Sequence, residues 1–180
     1  TDAGLSIGSL VTHTQIMRSP IMSDLFPALQ HAAHTIGAVQ TRNLGTLGGN
    51  LCTAVPSVDS GPTLVALDAL VTLLSPSGKR QIPLADFFVG PRKTAAKTDE
   101  LLTEILIPKT SVGKPTMFQK FGLRKGHALA LVNAAASLWV DWDKPVFVAP
   151  RVALGEGAPK VTQGTPAGPL PEVRAMSPGA

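Results

Sequence analysis

The stretch Arg42-Asn43-Leu44-Gly45-Thr46-Leu47-Gly48-Gly49-Asn50 constrains the fold more than any other, because it places three glycines within five positions. Glycine reaches positive-φ conformations closed to most residues, and without a Cβ it lets a ligand touch the main chain. Gly48 and Gly49 are therefore expected in a loop whose successive amides form a concave site for a phosphate or pyrophosphate. Thr46, Asn50 and Thr53 add hydroxyl and amide groups around it, and Asp59 adds a carboxylate able to take hydroxyls. An ordinary Gly-rich turn accounts for the glycines equally well, and Asp59 also reads as a helix N-cap.

A chain of 180 residues is long enough for one sizeable domain or one and a half small ones. Hydrophobic residues make up 44% and charged ones only 16%, so some surface is expected to be buried against partners. The net charge of +4 is scattered and the aromatic fraction is 4%, without tyrosine. The clustered basic patch and stacking aromatics of a nucleic-acid binder are missing. A single cysteine, Cys52, excludes an internal disulfide framework and a four-thiolate iron–sulfur cluster within the chain. It fits a reducing, cytoplasmic setting. The start has no basic leader followed by an apolar run, and no stretch approaches a membrane span. The absence of an initial Met is expected of a fragment or processed piece.

In chain order, Leu5–Leu10 reads as a short strand and Thr12 as the cap of a brief helix through Ile16 that ends near Pro20. Ser23 is expected to cap a better helix, with Phe26, Leu29, Ala33 and Ile36 on one side and Gly37 at its end. His31 and His34 lie one turn apart there, but without a third ligand close by they read as helix-surface or subunit-contact residues. After the Gly-rich stretch, Ser57, Asp59 or Ser60 can cap a helix with Pro62 in its first turn. Ala69–Leu74 and Lys79–Leu84 flank Ser75-Pro76-Ser77-Gly78 as a β-hairpin. Ala85–Val89 reads as a helical turn, Gly90–Thr94 as a loop and Glu100–Pro108 as a strand. The polar stretch Lys109–Pro115 is a candidate boundary. Met117–Arg124, Ala128–Trp142 and Val146–Leu154 then read as three antiparallel strands, and Gly155 onward as loop or tail. There is no internal repeat.

No catalytic set is self-sufficient. The sequence lacks G-x-S-x-G, the Walker G-x-x-x-x-G-K, H-E-x-x-H and C-x-x-C, and its Gly stretch is not the G-x-G-x-x-G of a Rossmann turn. Asp99 and Glu100 read as a solvated strand edge, and His127 as a surface histidine. No catalytic or metal-ligating residue is assigned. Any catalysis must be carried by a bound cofactor.

Arg42-Asn43 with Gly45-Thr46-Leu47-Gly48-Gly49-Asn50, then Pro56 and Asp59, resembles the second FAD-binding signature of molybdopterin-dehydrogenase medium subunits. These are the flavin subunits of xanthine, carbon monoxide and nicotinate dehydrogenases. The likeness continues through Leu67-Asp68-Ala69, Ile82–Phe88, Thr94, Asp99–Leu102, Ile107-Pro108, Phe118–Arg124 and Ala153-Leu154-Gly155, and covers roughly residues 4–160. The resemblance implies an α+β fold: part of a vanillyl-alcohol-oxidase-type FAD-binding domain (its second subdomain), then a small, truncated α/β C-terminal domain of the carbon-monoxide-dehydrogenase flavoprotein type. Residues 1–110 would form the first, 111–160 the second and 161–180 a Pro/Gly-rich tail. It further implies FAD as cofactor, with molybdopterin in a large partner subunit and [2Fe-2S] clusters in a small one. The flavin would relay electrons from those clusters to NAD or another acceptor. By position, Thr46, Gly48, Gly49, Asn50 and Thr53 correspond to diphosphate and ribityl contacts and Asp59 to a contact on the FAD chain. Leu47 corresponds to an apolar position near the isoalloxazine, and Leu102 and Lys120 to positions near the adenine or flavin. Core packing explains Leu102, and solvation Lys120, equally well.

Two departures from the family stand out. Its earlier Gly-rich FAD loop has no counterpart here, so a separate chain is expected to supply that half, or the sequence is incomplete. Its C-terminal helix is replaced by Gly164-Thr165-Pro166-Ala167-Gly168-Pro169, where prolines cannot continue a helix. The alternatives are a scaffold subunit of the same complex that no longer binds flavin, and a nucleotide binder unrelated to redox chemistry.

Overall fold

The computed structural model describes residues 1–124, 126–144, 146–155 and 161–164. Two four-stranded antiparallel sheets enclose a layer of short helices. The first sheet has the order β1-β6-β2-β3, formed by β1 (Gly4–Gly8), β6 (Leu101–Pro108), β2 (Leu70–Ser75) and β3 (Gly78–Pro83). Its inner face is set by β-branched and Leu side chains in register: Ile7 opposite Ile105, and Ile105 opposite Val71. All three are buried, as are Leu73 and Ile107. The outer side carries a polar ladder in which Ser6 and Thr72 donate to Glu104 and Gln81 donates to Thr72. The β2–β3 hairpin closes on Gly78, whose φ of +131° suits only glycine.

Between β1 and β2 run α1 (His13–Arg18), α2 (Pro20–Leu25), α3 (Pro27–Thr35), α4 (Val39–Leu44), α5 (Leu47–Cys52) and α6 (Ser60–Ala66). Thr12 caps α1 in a full capping box with Gln15. Ser23 does not start a helix as expected. It lies inside α2, and Phe26 caps α3, because Pro20 and Pro27 both take first-turn positions where a missing N–H costs nothing. Gly37 follows α3 at φ +50°, the left-handed conformation that ends a helix. After β3 come α7 (Leu84–Phe87) and the ribbon of β4 (Phe88–Gly90) and β5 (Lys93–Thr94). The bidentate Arg80–Glu100 pair ties β3 to the turn before β6, and the guanidinium holds the Glu100 carboxyl down at about 2.

The second sheet, β10-β9-β8-β7, comprises β7 (Thr116–Gly122), β8 (Ala130–Asp141), β9 (Val146–Gly155) and β10 (Thr162–Gly164). The first three strands follow the expected antiparallel order. Residues 162–164, expected as tail, instead pair with β9. The expected tail beyond 164 lies outside the described residues. Every residue of α6 is buried, because the second sheet covers it on one side and α3, α5 and α7 on others. One apolar cluster therefore runs from Ile7 and Leu29 through Leu64 to Phe118, Ala135 and Ala153. Outward from the same sheet, Met117, Phe121, Val132, Val152 and Leu154 are exposed.

Candidate functional site

The Gly-rich stretch is helical and not a loop. Residues 39–44 form α4, Gly45 is the link, and Thr46 caps α5 by accepting from the Gly49 N–H at 3.0 Å. Among the described glycines the positive φ values belong to 4, 37, 78 and 113, so Gly48 and Gly49 do not use the expected freedom. The expected row of free amides is absent as well. Leu47 N–H donates to Val11 O at 2.8 Å and Gly48 N–H to Ser9 O at 2.9 Å, which stitches α5 to the turn after β1. Gly48 is needed for that stitch, since a Cβ there would lie 2.6 Å from Ser9 Cβ and 2.8 Å from Ser9 O. Gly49 is different: it is exposed, and a Cβ would meet only Thr46 Oγ1, at 2.9 Å.

Two open clefts run along the C-terminal ends of α3 and β7. One, of about 860 Å³, is lined by Asn50, Ser57 and Asp59 on one wall and by the segment after β7 on the other. The second, of about 850 Å³, is lined by Arg42 and Lys120. Gly37, Leu123, Arg124, His127 and Ala128 line both, so the two form one groove. Within it, Asn50 Oδ1 accepts from Ser60 Oγ at 2.6 Å, which anchors α5 to α6.

Asp59 and Lys120 come together where the two clefts meet. Lys120 Nζ lies 2.5 Å from Asp59 Oδ2, with side chains only 9% and 7% exposed, and also donates to Thr35 O at 3.1 Å. Asn133 Nδ2 donates to Asp59 Oδ1 at 3.0 Å. Burial pushes the Asp59 carboxyl up, against the hydrogen bonds and charge of its partners. Asp59 occupies the N-cap position of α6, yet its side chain does not cap the helix; it is spent on Lys120 and Asn133. Lys120 is not solvated either.

Of the residues singled out in the sequence, Asn50, Asp59 and Lys120 thus meet at the groove. Thr46, Gly49 and Thr53 occupy α5 or its caps nearby, with Gly49 and Thr53 exposed. Leu47 is fully buried in the core, and Gly48 is buried against Ser9. Leu102 packs half-buried on β6 opposite Leu73 and lines neither cleft. The sequence reading missed Arg124 and Asn133. Asn133 was detectable: on β8 it shares the inward face with Ala135 and Ser137, and a buried amide amid small residues needs a polar partner.

The comparisons agree on one family. A family described as FAD binding domain in molybdopterin dehydrogenase matches residues 1–110. The nicotinate dehydrogenase FAD-subunit of Eubacterium barkeri is 38% identical over 140 residues, which cover 76% of this chain and 47% of that protein. The glyceraldehyde dehydrogenase medium chain of Sulfolobus acidocaldarius is 40% identical over 136 residues, 75% of this chain and 48% of that one. A solved carbon monoxide dehydrogenase from Hydrogenophaga pseudoflava superimposes with a TM-score of 0.81 at 27% identity, covering 88% of this chain and 54% of that chain. The chain spans about half the length of the curated relatives it matches. With the signature over 42–59, a matched family covering more than half its length and relatives above 30% identity, the chain belongs to the FAD-binding domain family of molybdopterin dehydrogenases.

Proposed function

We propose that this chain is the flavin-carrying part of a molybdenum hydroxylase, an FAD-dependent oxidoreductase subunit that relays electrons and has no substrate site of its own. The observation that carries this reading is Gly49. An exposed helical glycine costs up to about 1 kcal/mol relative to alanine, and here a Cβ would meet only the capping Thr46 Oγ1, next to Asn50, which lines the groove. FAD fits that arrangement through Gly49 for close approach, Thr46, Asn50 and Thr53 for polar contacts, and Asp59 with Lys120 at the meeting of the clefts. Leu47 and Gly48 support the site from the interior. When bound, FAD supplies the redox chemistry, which side chains cannot. This chain's residues bind and orient it.

Electrons would arrive from [2Fe-2S] clusters of a small subunit, fed by a molybdopterin-binding large subunit, and leave to NAD or another acceptor. The vanillyl-alcohol-oxidase-type subdomain, the division at about residue 110 and a cytoplasmic location belong to the same proposal. Among the described residues no helix is long and apolar enough to cross a membrane.

Gly49→Val tests it. Fluorescence titration with FAD should show affinity lower by roughly tenfold or more, equivalent to about 1.4 kcal/mol, with the circular dichroism spectrum unchanged. Undiminished FAD affinity in the folded variant would overturn the placement.

A further inference from the structure

The register of β7, β8 and β9 sets Lys120, Asn133 and Gly155 side by side, in one row across the inner face of the second sheet. That row meets the start of α6, where its first two members hold Asp59: Lys120 Nζ donates to Oδ2 and Asn133 Nδ2 to Oδ1. Asn133 Nδ2 also donates to Val58 O at 3.4 Å, so one amide ties down two consecutive residues ahead of α6. Gly155 makes room for this, since a Cβ there would collide with Asn133 Oδ1. An ionised carboxylate accepts and does not donate, so the amide turns its NH2 group to Asp59. Its Oδ1 is then left over the glycine, buried and without a partner among the described residues. An unpaired buried acceptor is destabilising, and a core built for stability alone would place an apolar side chain here. Asn133 is 1% exposed and lines neither cleft, whereas Asp59 lines the one of about 860 Å³.

We propose that Asn133 is a positioning residue: it touches no ligand itself, and through its amide it fixes the Asp59 carboxylate as an acceptor for hydroxyl groups of a ligand in the cleft. That the ligand is a flavin rests on the function proposed above; the hold of Asn133 on Asp59 does not. The groups facing the carboxylate are Lys120 from β7 and Asn133 from β8, and Arg124 and His127 line the same cleft. Burial pushes the Asp59 carboxyl up, and the bonds from Lys120 and Asn133 pull it down. The amide therefore favours the ionised form, whose oxygens keep lone pairs for a ligand beyond those already used.

Carbon NMR titration of the Asp59 carboxyl and fluorescence titration with FAD test this, in the wild type, Asn133→Ser, Asp59→Asn and the double variant. Serine ends one atom short of the amide nitrogen, so Asn133→Ser should raise the midpoint of the Asp59 titration and weaken FAD binding about tenfold. In the Asp59→Asn background the same substitution should change FAD affinity no further, because no carboxylate is left to aim. A residue that only supports the sheet would add its full loss there. An unmoved Asp59 midpoint, FAD affinity equal to that of a flavin-binding wild type, or an equal further loss in the Asp59→Asn background overturns the proposal. If Asn133→Ser does not fold, the wild type decides: the side-chain amide resonances of Asn133 should follow the Asp59 titration, and resonances that ignore it overturn the proposal. No FAD binding by the wild type would remove the flavin reading alone; the Asp59 midpoint then decides the hold of Asn133, which stands if Asn133→Ser raises it and falls if it does not.

Discussion

His13 opens α1 with 2% of its surface exposed, and its Nδ1 has no hydrogen-bond partner among the described residues. Burial, and then the charge of Arg42, lower its pKa from 6.5 to about 4. The folded state therefore holds the ring neutral while the unfolded chain takes up a proton below about 6.5. The stability this contributes is present above that pH and is lost as pH falls from 6.5 towards 4, to a total on the order of 3 kcal/mol. Urea denaturation at stepped pH should show that decline, and His13→Gln should flatten it; an unchanged slope would mean the ring is not buried as described. Gly48 makes a second prediction at this scale. Gly48→Ala should destabilise by about 1–3 kcal/mol, because its Cβ would meet Ser9 backbone at 2.8 Å. A thermal melt equal to wild type would contradict the stitch between α5 and the turn after β1. The sequence showed that glycines were required at 45–49 but not why. One meets solvent and its neighbour meets Ser9, and that difference depends on a contact some forty residues away.

Several local signals held where the partner was close in sequence, though not the cap expected at Ser23. Thr12 with Gln15, Gly37 after α3 and the Pro76-Ser77 turn each act within four residues, and each forms as the sequence suggests. Where the partner was distant, the reading failed. Asp59 has the right position for an N-cap and a different occupation, because Lys120 arrives from β7 and Asn133 from β8. That cluster joins the second sheet to the helical layer. Removing only the cation leaves a buried carboxylate unpaired, so Lys120→Met should cost about 3–5 kcal/mol. Adding Asp59→Asn should recover part of that loss, as a double-mutant cycle would measure. Additive losses would show that the pair is not coupled.

For the molecule as a whole, the β2–β3 hairpin and the succession β7, β8, β9 were legible from their strands and turns, whereas the joining of β1 and β6 to that hairpin in one sheet was not. The short β10 was not, since three residues have no periodicity and are recruited by the free edge of β9. The groove was not legible either. It is made by the approach of the segment after β7 to the ends of α3 and α5, and only the Arg42–Asp59 signature and Lys120 hinted at a ligand there. The central claim is that this groove and the face of α5 hold FAD. A visible absorbance spectrum of the purified protein, alone and with the chains that co-purify, tests it most directly. The account predicts flavin bands in the complex that are released as FAD on denaturation, with iron–sulfur absorbance only when the partner chains are present. A colourless protein in both states, with no flavin released, would contradict it.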